Sequence, residues 1–130
     1  MHVHKQLAIF LENRPGALAA MCETLAEADI NLLALTVSDT VDHAVVRIVT
    51  DKPDEAMHLL GEAGMLVVES DVLVVEVSNE PGTLARVARK LAEHSINIEY
   101  AYCTTTPEAE GGALILRIRD PQRAMQVLGG

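Results

Sequence analysis

Tryptophan is absent from this sequence, phenylalanine occurs once and tyrosine twice. Single-stranded nucleic acids are gripped on stacked aromatic side chains, so the composition argues against that partner. Positive charge is scarce as well. Ten Lys and Arg stand against nineteen Asp and Glu, a net charge of −9, and such a field repels phosphate backbones. Arg86, Arg89 and Lys90 lie close together, and Arg117, Arg119 and Arg123 follow; both groups read as solvated surface, a helix face and a strand edge. No apolar run reaches the roughly 18 residues that cross a membrane. The opening MHVHKQ lacks the basic-then-apolar order of a secretory leader, so a cytoplasmic location is expected. Cys22 and Cys103 make neither a ligand pair nor a disulfide framework. His2 and His4 alternate on a strand-like stretch with no third ligand beside them, so no metal site is expected. His43, His58 and His94 are scattered and read as surface residues.

What the chain does contain is a repeat. ENRPGALA at residues 12–19 returns as SNEPGTLA at 78–85. Over residues 13–31 set against 79–97, ten of nineteen positions are identical: Asn, Pro, Gly, Leu, Ala, Leu, Ala, Glu, Ile and Asn. A repeat decides domain organisation before any other signal. It divides the 130 residues into two units, 1–70 and 71–130. Units of about 65 residues are marginal alone and gain from packing on each other or on a second chain. With 49% apolar residues there is material for an aliphatic core.

Each copy opens with a short aliphatic run, KQLAIFLE (5–12) and DVLVVEVS (71–78), stopped by Asn-x-Pro-Gly; both read as strands ending in a turn. A helix follows. Leu18, Met21, Cys22, Leu25 and Ala28 recur at helical spacing in the first copy, and Leu84, Val87, Ala88 and Leu91 in the second, each a stripe facing a core. Pro15 and Pro81 suit the first helical turn, where a missing N–H is tolerated. New strands are expected at 30–38 and 96–104, turns at SDTVD (38–42) and TTPEAEGG (105–112), and further strands at 44–50 and 113–119. Second helices start at Pro53 and Pro121, and MLVVES (65–70) forms a last strand in copy one. Tyr100 and Tyr102 share one face of their strand and read as packing residues.

The order is β-α-β-β-α-β, a tandem of ferredoxin-like α+β units with antiparallel sheets and helices on one face. The second copy has no residues left for its last strand, and the missing strand would leave an edge open to pairing with another chain.

Placed in that order, the chain resembles the ACT family of small-molecule-binding regulatory domains, in particular its stand-alone tandem members. Asn13, Pro15, Gly16, Leu18 and Asn31 carry the resemblance, with their echoes Asn79, Pro81, Gly82, Leu84 and Asn97. The resemblance implies an amino-acid-binding regulatory protein without enzymatic activity, a homodimer, with its ligand near the turn between the first strand and first helix. It also implies a link to amino-acid-biosynthetic enzymes such as acetolactate synthase, aspartate kinase and phosphoglycerate dehydrogenase.

The residues suit an amino acid as ligand. A helix start at Pro15-Gly16-Ala17 or Pro81-Gly82-Thr83 offers unpaired N–H groups to a carboxylate, and glycine permits close backbone approach. Asn13 or Asn79 can accept from an ammonium. Asn31 and Asn97 enter the next strand and could grip the same ligand or one from an adjoining unit, while Leu18, Leu32 and Leu84 form apolar walls. Arg14 can pair with a carboxylate where Glu80 of the second copy would repel one, so the first site is expected to take the acidic end. No cofactor is implied. The sequence also has no nucleophile beside a base, no carboxylate pair and no phosphate-gripping glycine loop. The alternative is an assembly module without ligand, supported by strands that are apolar on both faces, Leu7, Ile9 and Leu11 on one side and Ala8 and Phe10 on the other.

Overall fold

The computed structural model describes residues 1–39 and 43–129. Its elements are β1 (His2–Glu12), α1 (Ala17–Glu27), β2 (Leu32–Asp39), β3 (His43–Thr50), α2 (Pro53–Glu62), β4 (Leu66–Ser78), α3 (Thr83–Glu93), β5 (Ile98–Thr104), β6 (Gly111–Ile118) and α4 (Pro121–Gly129). They form two compact units, Lys5–Ser70 and Met1–His4 with Asp71–Gly130. Of the turn expected at 38–42, residues 40–42 lie outside the described residues.

In the Lys5–Ser70 unit the strand order is β2-β3-β1-β4. β1 pairs antiparallel with β3, Leu7 opposite Ile48 and Leu11 opposite Ala44, and β2 closes on β3 with Asp39 opposite Ala44. Alternation along β1 sends Leu7, Ile9 and Leu11 to one face. There they join Val46 and Ile48 of β3, Met21 and Leu25 of α1, and Ala56 and Leu60 of α2 in one buried cluster. Each helix thus contributes two buried residues spaced four apart, the spacing that keeps side chains on one face.

The second unit repeats the order with a different source for its outer strand. Its sequence is β1-β4-β6-β5, and only Met1–His4 of β1 belong to it. The place that the sequence leaves empty beside β4 is therefore taken by the first residues of the chain, and the edge expected to be open there is covered. The Met1 α-ammonium is ion-paired with the Glu76 carboxylate of β4, which holds the Glu76 carboxyl below its ordinary value. Leu73 and Val75 of β4, Leu91 of α3, Leu114, Leu116 and Ile118 of β6 and Ala124 of α4 form the core, with Val3 packed against it.

Three local expectations are revised. The runs at 65–70 and 71–78 are one continuous strand, β4, because no residue between them breaks an extended backbone. Pro15 and Pro81 precede their helices rather than opening them. The residues before α1 and α3 are Gly16 and Gly82, at φ 88° and 89°, a left-handed conformation that glycine reaches without steric cost. Finally, Leu18 and Leu84 leave the core stripe and are 38% and 47% exposed. Tyr100 and Tyr102 are both half-buried on β5.

Candidate functional site

The left-handed glycines shape both helix entrances. Each turns the chain from strand into helix without a side-chain cap on the first turn. Helix starts leave N–H groups with no intrahelical partner. At α3 the Thr83 amide donates to the Glu80 carbonyl and the Arg86 amide to the Gly82 carbonyl. Between them, the amides of Leu84 and Ala85 have no partner among the described residues. At α1 the same holds for Leu18 and Ala19, flanked by bonds from Ala17 to Arg14 and from Ala20 to Gly16.

At the second entrance Leu84, one of this donor pair, lines a cleft of about 110 Å³ together with Val77, Ser78, Asn79, Glu80, Thr83, Cys103, Thr104, Thr105 and Gly112. Its polar frame is fixed. The hydroxyls of Ser78 and the buried Thr83 are 2.9 Å apart, and Arg86 Nη2 donates to Thr83 Oγ1 at 3.2 Å. Asn79 Nδ2 donates to the carbonyls of Thr106 and Ala109, each at 2.9 Å. Both of its amide hydrogens are thereby used on the 105–110 loop, and Oδ1 remains as an acceptor. One wall depends on glycine: a Cβ at Gly112 would come within 2.0 Å of the Thr104 carbonyl oxygen.

The first entrance is built from different side chains. Where the second has Ser78, Thr83 and Arg86, the repeat places Glu12, Ala17 and Ala20. Arg14, the expected carboxylate partner, is drawn to Glu12, its Nε donating to Oε2 at 2.8 Å. Asn13, Arg14, Pro15 and Gly16 are exposed, Ala17 is half-buried, and Leu32 packs against the core. The more fully framed of the two entrances is the second.

Asn31 and Asn97 are not brought to these turns. β1 and β2 end level with each other, both registering on Ala44, so Asn31, before β2, lies at the other end of that strand. Its backbone is tied there to Asp51, the Asn31 amide donating to Asp51 Oδ1 at 2.9 Å. Asn97 is likewise separated from the Cys103–Thr105 wall by the length of β5, roughly 20 Å at about 3.3 Å per residue. It lines a different cavity of about 380 Å³ with Ser95, Glu99, Arg119, Asp120 and Arg123.

Sequence reasoning missed Ser78, Cys103, Thr104, Thr105 and Gly112. The one available signal was the longer TTPEAEGG segment of copy two, whose two ends form the far wall of the cleft. Among the described residues no group of three or more His, Cys, Asp or Glu is placed to hold a metal ion. No described helix is long and apolar enough to cross a membrane.

The repeat, the duplicated β-α-β-β-α order and the paired glycine turns correspond to a family model described as an ACT domain pair, which matches residues 1–129. The chain belongs to the ACT domain pair family. No curated protein matches it in sequence. Among solved structures, this ACT pair is similar to a protein from Bacteroides thetaiotaomicron at 33% identity and a TM-score of 0.91, covering 98% of this chain and 87% of that one. It shares its fold with the regulatory subunit of aspartate kinase from Thermus thermophilus, in ligand-free form, at 18% identity and a TM-score of 0.74, with 99% and 96% of the two chains covered. The aspartate kinase regulatory subunit from Thermus flavus is similar at 20% identity, a TM-score of 0.65 and coverage of 98% and 94%. These aspartate kinase relatives are regulatory subunits, and the tandem ferredoxin-like arrangement is common to them and to this ACT pair.

Proposed function

We propose that this ACT pair binds a small amino acid at the turn before α3 and acts as a regulatory, non-catalytic module of amino-acid metabolism. The observation that carries the proposal is the cleft at Ser78–Leu84, where two unpartnered helix amides lie beside a fixed polar frame. A carboxylate suits the Leu84 and Ala85 amides, which also carry the positive end of the α3 dipole. The ammonium suits Glu80 and Asn79 Oδ1, so Glu80 complements the ligand rather than repelling it. The cleft of about 110 Å³ equals the liquid share of three to four waters at about 30 Å³ each. That space suits a small side chain better than an aromatic one.

The Asn13–Leu18 turn is the weaker second site in this reading, since Arg14 must leave Glu12 to reach a ligand. A homodimer that regulates an amino-acid-biosynthetic enzyme of the aspartate kinase class completes it.

Titration calorimetry of exhaustively dialysed protein against the twenty amino acids tests the proposal. Saturable heat from a small amino acid, weakened at least tenfold by Thr83→Val and by Asn79→Ala, is expected. Silence from all twenty with folded protein in the cell would leave the assembly-module reading in its place.

A further inference from the structure

The cavity that Asn97 lines has no part in the ligand reading, and the repeat supplies a comparison for it. Asn31 and Asn97 hold equivalent positions, each just before the second strand of its copy. The residues across from them follow from register. Leu32 pairs with Thr50 and Ile98 with Ile118, so Asp51 of the first copy corresponds to Arg119 of the second, and Glu55 to Arg123. The prolines that open the next helices, Pro53 and Pro121, fix the same alignment.

In the first copy the Asn31 amide donates to a carboxylate of its own chain, Asp51 Oδ1, at 2.9 Å. The second copy has a guanidinium at that position instead. Neither the Asn97 amide nor the Arg119 guanidinium has a partner among the described residues. The neighbouring groups are occupied. Arg123 Nη2 donates to the His94 carbonyl at 2.8 Å, much as Lys52 Nζ donates to the Asp29 carbonyl at 3.0 Å in the first copy. The Asp120 carboxylate accepts the Arg123 amide at 3.1 Å. The second copy has therefore lost one acceptor and gained one cation at a single place.

We propose that this cavity binds a small aliphatic monocarboxylate, whose carboxylate takes the place on the Asn97 amide that Asp51 fills on Asn31. Arg119 complements that charge, since a guanidinium offers paired N–H groups to a carboxylate in charge-assisted hydrogen bonds. Ile96 and Ile118, both buried, line the same cavity of about 380 Å³ and suit a short apolar body. Glu99 lines it too, where the first copy has Leu33. A like charge there opposes a second carboxylate and restricts the ligand to singly charged acids. The site is separate from the turn before α3 and holds with that cleft empty.

Titration of the full, ¹⁵N-labelled chain with sodium butyrate at fixed pH and ionic strength, followed by amide NMR, tests it. A saturable shift of the Asn97 amide is expected, while the Leu84 and Ala85 amides report on the other site separately. Arg119→Gln is expected to weaken butyrate about fivefold, the worth of one exposed charge pair. Arg119→Asp restores the arrangement of the first copy. Its carboxylate takes the Asn97 amide, whose resonance moves before any ligand is added and no longer responds to butyrate. A wild-type Asn97 amide that butyrate leaves in place overturns the proposal, as does an Arg119→Asp chain that responds like the wild type. Sodium sulfate binding as tightly as butyrate at matched ionic strength overturns the assignment to a monocarboxylate.

Discussion

Asn79 holds Ala109, thirty residues further on, by a 2.9 Å hydrogen bond from its side-chain amide to the backbone carbonyl. The second amide hydrogen does the same for Thr106. The asparagine of the repeat is therefore a clamp on the loop that walls the cleft before it is anything else. Asn79→Ala is expected to cost about 1–2 kcal/mol, two exposed hydrogen bonds at roughly 0.5–1.5 kcal/mol each less what water restores. Amide hydrogen exchange is expected to rise in residues 105–111 while the β4 core amides stay protected. Unchanged exchange in that loop would refute the clamp.

Gly82→Ala tests the left-handed turn. With φ at 89° an added Cβ costs about 1–2 kcal/mol from backbone strain, and it would also meet Arg86 Nη1 at 3.3 Å. Gly16→Ala meets nothing within 4 Å and carries the strain alone. Urea midpoints should fall for both, with a displaced Arg86 and weaker ligand binding for Gly82→Ala only.

Leu91 and Leu84 sit on one helix and separate stability from function. Leu91 is fully buried, so Leu91→Ala should destabilise by about 2–5 kcal/mol. Leu84 is 47% exposed, and Leu84→Ala should shift stability by less than about 0.5 kcal/mol. The loss at Leu84 is expected in the ligand-induced rise of the melting temperature, which for the wild type corresponds to about 2.7 kcal/mol at one hundred times Kd.

Glu76 gives a pH dependence with a definite sign. Its carboxyl is held below the ordinary 4.5, first by the hydrogen bond from the N-terminal ammonium and then by its own backbone. A carboxylate favoured in the folded state binds fewer protons there than in the unfolded chain. The contribution is thus fully present above the ordinary value and is lost as pH falls from there through the depressed folded value. Urea midpoints of wild type and Glu76→Gln should differ near neutral pH and converge in that acid window, by no more than the small worth of an exposed pair. A difference that grows on acidification would contradict the pairing.

Much of the fold was legible because each signal was local and written twice. Strand runs, Asn-x-Pro-Gly turns and four-residue helical spacing fixed the β-α-β-β-α order, and β1, α2 and α4 lie within a few residues of expectation. What escaped reading depends on register. Nothing in the sequence near Asn79 announces that Thr104, Thr105 and Gly112 face it across a hairpin, since that follows from Ser78 pairing with Gly111 and Thr104 with Ala113. Arg14 is a related case: its ion pair with Glu12, two residues back, depends on side-chain geometry that residue order does not give. Asn79, Thr83 and Leu84 of the sequence reading line the cleft and Gly82 makes the turn before α3, and their placement follows from the turn itself.

The membership of Met1–His4 in the second unit bears on how this chain comes off a ribosome. At about 5–20 residues per second, the first four residues wait several seconds before Asp71–Ser78 exists to receive them. During that interval they are a strand without its place, within reach of any nascent copy that has advanced further. An exchanged strand, Met1–His4 of one copy seated beside β4 of another, is the characteristic fault to which such an arrangement is exposed.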